Sequence, residues 1–519
     1  MTTAIAARPA IPAAAEGEGP APLRDAVLAG RFFGVKHTAF AERLAALLAG
    51  TPGQALLAWF GPRHAAHLLG DADALRAALD RDIATIDRLL SAQLDAVLHA
   101  PRLRRLEGSW RGLAWLVGGL DPAGRVKARL LNVGWPEICR DLERAAEMDQ
   151  SNLFRRVYED EFGTPGGEPF GLLVVDHEVR HRPTAAAPTD DVTAIASLAG
   201  VAAAAFAPVV LAASPALLEV DEFADLAMTA DPAAPFRGQL HARWRGLASR
   251  EDMRFVCVAL PRVLARLPWG DDPARADGFR YAEYAPDARS RVWMSAGYCF
   301  AATVARAFAD HAWPADVRGV DTDREGGGVV THLPAEPFGT DPPGVWTRPP
   351  LDLVLHDRQE RALVEAGLMP LSGLPYTVDA AFTSVRSLQN PKTYAGQNAD
   401  AADASARISA QINSMLCVAR FAHYVKVMGR DMVGSHQTAE RIEQRLQTWL
   451  GGYINASVNA GPDTRARYPL MAGRVTVRER PGRPGVFGCT VQLQPHFQLD
   501  DVAATFRLVT EVVAPGRRA

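Results

Sequence analysis

Cysteine is scarce in this chain. Five residues in 519, Cys139, Cys257, Cys299, Cys417 and Cys489, are an odd number, widely scattered and without a C-x-x-C pair. That excludes a disulfide framework and a zinc ribbon, and suits reduced thiols packed as small apolar side chains. An excess of one charge is lacking too. The 56 Lys and Arg residues stand against 59 Asp and Glu, for a net charge of −3, whereas a dedicated nucleic-acid binder carries a basic surplus. There is no phosphate loop with its Lys-Ser/Thr, no G-x-S-x-G elbow and no internal repeat. Nucleotide-driven and serine-hydrolase chemistry therefore have no sequence footing, and a helical array would have to be built from whole subunits.

Long apolar runs are also few. Ala194–Ala213 is uncharged over twenty positions, but ten of them are Ala and Pro208 splits the stretch. It reads as an Ala-rich helix followed by a short buried strand at Val209–Leu211 rather than a membrane span. Met1–Pro20 is rich in Ala and Pro, with Arg8, Glu16 and Glu18 among them. Pro9, Pro12 and Pro20 interrupt any apolar core of a secretory leader, so the segment reads as a disordered tail. With neither leader nor span, the expected location is cytoplasmic.

What is present is an ordinary soluble composition, 48% hydrophobic and 22% charged, on a chain long enough for two or three buried cores. The fold class is α/β (α+β), a mixed-sheet fold with a helical N-terminal region and C-terminal strands. Four regions follow from the patterning: a tail over 1–21, a helical region over 22–105, a middle α/β domain over 106–390, and a C-terminal domain over 391–519. In the middle domain strands are expected at Val126–Val133, Phe170–Val179, Val209–Ala213 and Phe255–Leu260, with helices at Asp191–Ala205 and Ala296–Ala312. The chain ends in strand-like runs at Gly473–Arg480, Val486–Gln494 and Thr505–Val513. Val475 and Val477 alternate with Arg474, Thr476 and Arg478, the pattern of antiparallel strands with one face buried. A two-stranded ribbon leaves an open edge, and in a polymer that edge is a connector through strand addition.

The most informative segment runs from Ala404 to Ser435. Ile408, Ile412, Met415, Leu416, Ala419, Ala422 and Val425 recur at helical spacing and form an apolar stripe. Asp403 suits an N-cap and Gly429 a C′ position, which brackets a helix of roughly seven turns. Arg420, His423 and Lys426 form a basic ridge beside the stripe, a surface for meeting a neighbouring subunit or domain.

Enzymatic patterns are thin. His177-Glu178-Val179-Arg180-His181 matches H-E-x-x-H, the zinc-peptidase pattern, but that chemistry needs a helix to stack both imidazoles about 6 Å apart. Here the motif closes the strand-like run GLLVVD and Pro183 follows, and on a strand residues four apart stand roughly 13 Å from each other. The glycines of Glu325–Gly328 and of Gly163–Pro169 read as backbone turns. Trp110 and Trp115 read as a helix end packed on the core.

The run from Ser409 through Cys417, Arg420 to Tyr424, Lys426, Arg430-Asp431 and Gly434-Ser435 resembles the signature of the large sheath subunit of the bacterial type VI secretion system, the TssC/VipB family. Blocks at Leu106–Val117, Ser151–Val179, Pro261–Gly270, Arg318–Val330 and Gln494–Val509 are similar to family blocks in the family's order. Together they cover roughly residues 84 to 513. The resemblance implies a structural protein, neither enzyme nor cofactor carrier. It implies an obligate heterodimer with the small sheath subunit (TssB/VipA), polymerised as a contractile cylinder around an inner Hcp tube on a cytosolic baseplate. It further implies dismantling by a ClpV-type AAA+ unfoldase that engages a helix near the N-terminus, matched here by Pro22–Phe33 with Leu23, Val27, Leu28 and Phe32 as its apolar face. Arg420, His423, Lys426, Arg430, Asp431, Arg474, Arg478, Phe506 and Leu508 are the assembly candidates on this reading. Residues 33–79 match the family poorly, and Asp321–Arg324 looks inserted. The alternatives are the sheath of a phage-tail-like particle and a zinc hydrolase built on His177, Glu178 and His181.

Overall fold

The computed structural model describes residues 22–30, 38–164, 166–276, 278–320, 326–337, 347–375, 377–395, 399–432, 438–457, 459–479, 487–496 and 506–512. Two compact units emerge, one comprising Met1–Leu103 and Pro268–Ser290, the other Arg104–Leu267 and Arg291–Ala519.

The first unit is helical: α1 (Leu23–Leu28), α2 (Thr38–Ala49), α3 (Pro52–Leu68) and α4 (Ala72–Leu98). Asp71 caps α4 by accepting from the backbone of Asp73 and Ala74, as the orphan amides of a first turn require. Its small core is Phe60, Ala65 and Ala78, with Trp59, Leu75 and Leu79 packed around them. A buried carboxylate ties the helices together. Asp82 accepts from Arg24 Nε at 2.6 Å and Nη2 at 2.7 Å, and from Trp59 Nε1 at 2.9 Å. Burial pushes this carboxyl up, but the donors from Arg24 and Trp59 outweigh burial and hold it below its ordinary range. The returning segment Pro268–Ser290 lies along α4, where the Tyr281 hydroxyl donates to Asp95 at 2.8 Å.

The second unit is built on α5 (Pro101–Gly118), α6 (Trp135–Arg144) and a four-stranded parallel sheet. The strands β1 (Leu173–Val179), β2 (Val209–Ala213), β3 (Val256–Leu260) and β4 (Met369–Pro370) lie side by side in that order. Every residue of β2 and β3 is buried, which is why they read as unbroken apolar runs. The crossover helix α7 (Asp191–Ala205) joins β1 to β2. Helix α8 (Ala296–His311) sits on the sheet, close enough that a Cβ at Gly297 would stand 3.6 Å from Val174 and Val210. Backbone also meets side chain closely at α5. A Cβ at Gly108 would stand 2.0 Å from the Trp293 carbonyl and one at Gly112 2.6 Å from the Tyr298 ring, so this helix approaches its neighbours only with glycine on that face.

Helices α9 (Asp357–Glu365), α10 (Ala399–Ser409) and α11 (Ile412–Met432) lead into the last part of the chain. There α12 (Ala439–Gly451) covers an antiparallel sheet of β5 (Leu470–Glu479), β6 (Phe487–Pro495) and β7 (Phe506–Val512), in the order β5-β6-β7. Helix α11 contributes to two cores. Ile412, Met415 and Leu416 enter the core around the parallel sheet, while Val418, Phe421, Ala422, Val425 and Met432 enter a second core shared with α12 and the terminal sheet. In the second core Trp313 stacks on Phe421 at 4.2 Å, and Trp449 and Tyr453 meet Phe421 edge-on.

Two local expectations are corrected. The single long helix is broken between Ser409 and Ile412, because Ser387 takes the Ala410 carbonyl with both its amide and hydroxyl at 2.8 Å, and the Ile412 amide is drawn to Val385. Asp403 accordingly lies inside α10, accepting from the Tyr394 amide, and Gly429 lies inside α11, which continues to Met432. Residues Val126–Val133 form no strand. Their polar side chains Lys127 and Arg129 pair with Glu168 and Glu161, and Leu130 and Leu131 stay exposed. The three strand-like runs expected at the end of the chain pair as β5-β6-β7, with β7 joined to β6. All seven stripe residues from Ile408 to Val425 are buried, and so are all five cysteines.

At the junction of α11 with α7, His423 is 2% exposed and donates Nε2–H to the Ala205 carbonyl at 2.9 Å. Burial, helped by Arg420 and Lys426, pushes its imidazole down to about 4. The unfolded chain takes up this proton below pH ~6.5 while the folded chain refuses it, so stability present above ~6.5 is lost as pH falls toward 4, by about 1.4 kcal/mol per pH unit. His423→Gln keeps a donor for Ala205 and removes the titration. Melting temperatures are expected to fall less between pH 6.5 and 5 for that variant than for the wild type; equal slopes would refute this role of His423.

Candidate assembly surfaces

The ridge on α11 is occupied within the chain. Arg420 lies over the Phe308 ring at 5.3 Å and the Tyr424 ring at 4.6 Å. Lys426 points its ammonium at three rings, Phe206 at 4.8 Å, Tyr158 at 4.9 Å and Phe162 at 5.0 Å. Phe206 reaches this place from a left-handed residue at the end of α7, with φ of 49°, a conformation that non-glycine residues adopt at a cost of about 1 kcal/mol. Ring faces attract cations, yet burial still pushes the Lys426 ammonium down to about 8. Arg430 donates to the carbonyls of Phe162 and Thr164, both at 3.2 Å, and Asp431 beside it is exposed. The ridge thus clamps α11 to distant parts of the chain, Arg420 to Phe308 and Lys426 to Tyr158, the latter 268 residues earlier. Sequence spacing located the cations but not the rings, which carry no periodic signal linking them to α11.

The terminal sheet is asymmetric at its edges. On β5, Val475 and Val477 are buried while Arg474 and Arg478 stand exposed on the other face. The outer edge of β5 is already bonded. Gln447 of α12 donates to the Gly473 carbonyl at 3.1 Å and accepts from the Val475 amide at 2.8 Å, and Glu443 accepts from the Val477 amide at 2.8 Å. With these three groups taken by side chains, this stretch of the β5 edge is a poor place for an added strand. On the opposite side β7 pairs with β6 through Phe506↔Leu493 and Leu508↔Val491, and among the described residues no strand lies beyond it. The side chains of Phe506 and Leu508 lie outside what is described.

The H-E-x-x-H residues diverge. The His177 ring stacks on Trp135 at 4.5 Å and sits 3.2 Å from Asp191. Asp191 also accepts from Trp135 Nε1, Thr189 and the Arg180 amide. Burial raises the Asp191 carboxyl, but these donors, His177 first, hold it below its ordinary range. Glu178 faces Arg262 at 3.2 Å, and His181 stacks on His241. The motif therefore gathers no common metal site, in agreement with its position at the end of a strand. The glycine loops serve backbone geometry as expected: a Cβ at Gly167 would stand 2.2 Å from the Glu161 carbonyl, and one at Gly328 2.1 Å from that of Phe382. Trp115 donates to the His332 carbonyl at 3.1 Å and packs on the core, whereas Trp110 is exposed.

In the helical unit, Leu23 of α1 is fully buried, Val27 and Leu28 are half-buried, and Phe32 lies outside the described residues. On α4 the apolar residues Ile83, Leu90, Leu94 and Val97 are exposed. Their spacing of seven, four and three puts them on one face, a signal the composition of the helix already carried.

No described helix is long and apolar enough to cross a membrane. Comparison with known proteins then bears on the whole chain. The profile of the VipB tail-sheath N-terminal domain (EvpB/VC_A0108) matches residues 80–389, and that of the VipB tail-sheath gpW/gp25-like domain matches residues 401–512. The type VI secretion system sheath protein TssC1 of Pseudomonas aeruginosa is 34% identical over 445 residues, covering 85% of this chain and 86% of that protein. The chain belongs to the TssC/VipB family of type VI secretion tail-sheath proteins and is a structural sheath subunit.

Proposed function

We propose that this chain is the large subunit that pairs with a small sheath subunit and co-polymerises with it, in the cytoplasm, into a cylinder around an inner Hcp tube on a baseplate. Contraction of the cylinder propels the tube, and no nucleotide is consumed in the stroke. The observation that carries the reading is the asymmetric terminal sheet. With β5 sealed by Gln447 and Glu443, strand addition is confined to the β6–β7 side, so each subunit extends the lattice in one direction, a heterologous contact that propagates instead of closing. The C-terminal strand is the exchangeable element, and the clamped α11 is the rigid base against which it moves. Arg474 and Arg478 on the exposed face of β5, with Asp431 at the end of α11, are assigned to contacts between neighbouring subunits that re-pair on contraction.

The exposed stripe of α4 is assigned to the small subunit. A three-residue core supports the helical unit, and a face bearing Ile83, Leu90, Leu94 and Val97 suits a helical partner. The α1 segment is assigned to the unfoldase. Leu23 is buried and Arg24 is clamped by Asp82, so engagement of this face requires α1 to undock.

Three outcomes are expected. Co-expression with the small subunit gives hollow ridged cylinders by negative-stain microscopy, and deletion of residues 505–519 abolishes them; cylinders of normal length from the truncated chain would sink the strand-connector reading. Leu90→Glu combined with Leu94→Glu removes co-purification of the small subunit while the circular-dichroism spectrum is retained, and undiminished co-purification would move the docking face elsewhere. A Pro22–Phe33 peptide binds the N-domain of the unfoldase above a scrambled control, and Asp82→Asn increases binding by the full chain. A peptide no better than its scramble would exclude α1.

A further inference from the structure

One residue of the H-E-x-x-H motif, His181, takes part in a different constellation. His181 follows β1, Glu219 ends the short 3₁₀ turn Pro215–Leu218 after β2, and His241 ends the 3₁₀ turn Gln239–His241. Both histidines are deeply buried, His181 at 3% and His241 at 1% exposure. Their rings stack at 4.0 Å with a 25° tilt, and His181 Nε2 stands 3.3 Å from a Glu219 carboxylate oxygen. One potential ligand atom from each of the three residues lies within 4.8 Å of the others.

The hydrogen bonding is incomplete in a specific way. His241 Nε2 lies 2.8 Å from the Leu217 carbonyl, which only accepts, so Nε2 carries the proton and the neutral ring leaves Nδ1 as a bare lone pair. That Nδ1 is buried without a hydrogen-bond partner, and neither nitrogen of His181 completes a hydrogen bond of good geometry. An orphaned buried nitrogen costs about 1–3 kcal/mol, and the bare His241 Nδ1 beside a His181 ring that makes only the long 3.3 Å approach to Glu219 calls for an occupant. A ligating histidine typically donates its other ring N–H to a backbone carbonyl, as His241 does to Leu217, and the Phe236 ring packed edge-on at 5.0 Å fixes its orientation.

We propose that His181, Glu219 and His241 bind a transition-metal dication of the zinc class, a site distinct from the pattern His177-Glu178-x-x-His181. Two imidazoles and one carboxylate suit Zn²⁺ over Mg²⁺ or Ca²⁺. Tetrahedral ligands stand roughly 3.4 Å apart, against separations of up to 4.8 Å here, so the site closes by up to about 1.4 Å on loading, and Glu219, the exposed member, is the one with room to move. A cleft of about 220 Å³ lined by Arg182, Thr184 and Asp221 adjoins the site and leaves the fourth position to water or a small anion. The ion would staple the turns that follow β1 and β2 to the turn before the helix Ala242–Ala248, a structural role outside the contractile stroke.

The test uses the full-length chain purified without a histidine tag, stripped with a chelator and titrated with Co²⁺ as a spectroscopic probe. One equivalent is expected to bind with the intense visible absorption of tetrahedral cobalt and to raise the melting temperature. Glu219→Gln, at an exposed position, is expected to weaken binding at least tenfold, His241→Gln likewise, and His177→Gln to leave it unchanged, each variant checked for wild-type secondary structure. No stoichiometric binding by the wild type would overturn the site, as would binding that survives Glu219→Gln or that depends on His177.

Discussion

A buried helix must be covered on every side, and α11 is such a helix: fourteen of its residues are buried, including the polar Asn413, Ser414 and His423. No single sheet covers a full circumference, so α11 requires two cores, one around the parallel sheet and one under the terminal sheet. Burial at about 25 cal/mol per Å² of apolar surface favours both, and removing either would expose one side of the helix. Three of the polar side chains on α11 find partners here: His423 donates to the Ala205 carbonyl at the end of α7, Lys426 faces Phe206 beside it, and Arg420 lies over Phe308 of α8. The helix thereby fuses the parallel-sheet body to the terminal sheet.

That fusion bears on function. A subunit that transmits force needs a stiff path between its contacts, and packed cores at crystal-like density supply one. The terminal sheet hangs on α12 and α11, with β5 sealed by helix side chains and β7 on the outer side. On α5, Gly108 and Gly112 admit backbone and ring contacts that any Cβ would obstruct.

The histidines illustrate how burial sorts identical side chains. His177 has Asp191, His423 has a carbonyl and a cationic neighbourhood, and His181 has another histidine. The first two are satisfied structurally on at least one nitrogen. The third is pushed down to about 4, by burial first and by His241 second, and its surroundings leave lone pairs over. The motif letters H-E-x-x-H describe none of these fates.

Much of the fold was legible in the chain itself. Fully buried parallel strands appear as apolar runs, so Val209–Ala213 and Val256–Leu260 were readable almost to the residue, and the crossover Asp191–Ala205 was readable from its run of Ala ahead of Pro208. Alternation on β5 and β6 revealed which face is buried, since period-two patterning is a local property. Local signals end where distant backbone competes. The break at Ala410 is imposed by Ser387, the loss of the strand at Val126–Val133 by the want of a neighbour, and the fate of Arg420, His423 and Lys426 by rings and carbonyls contributed from residues 158 to 308. The sequence by itself determined the elements, their buried faces and the family. Tertiary structure alone decided which edge is sealed, which cations are clamped and which histidines converge, because those depend on side chains that meet only after long loops have closed.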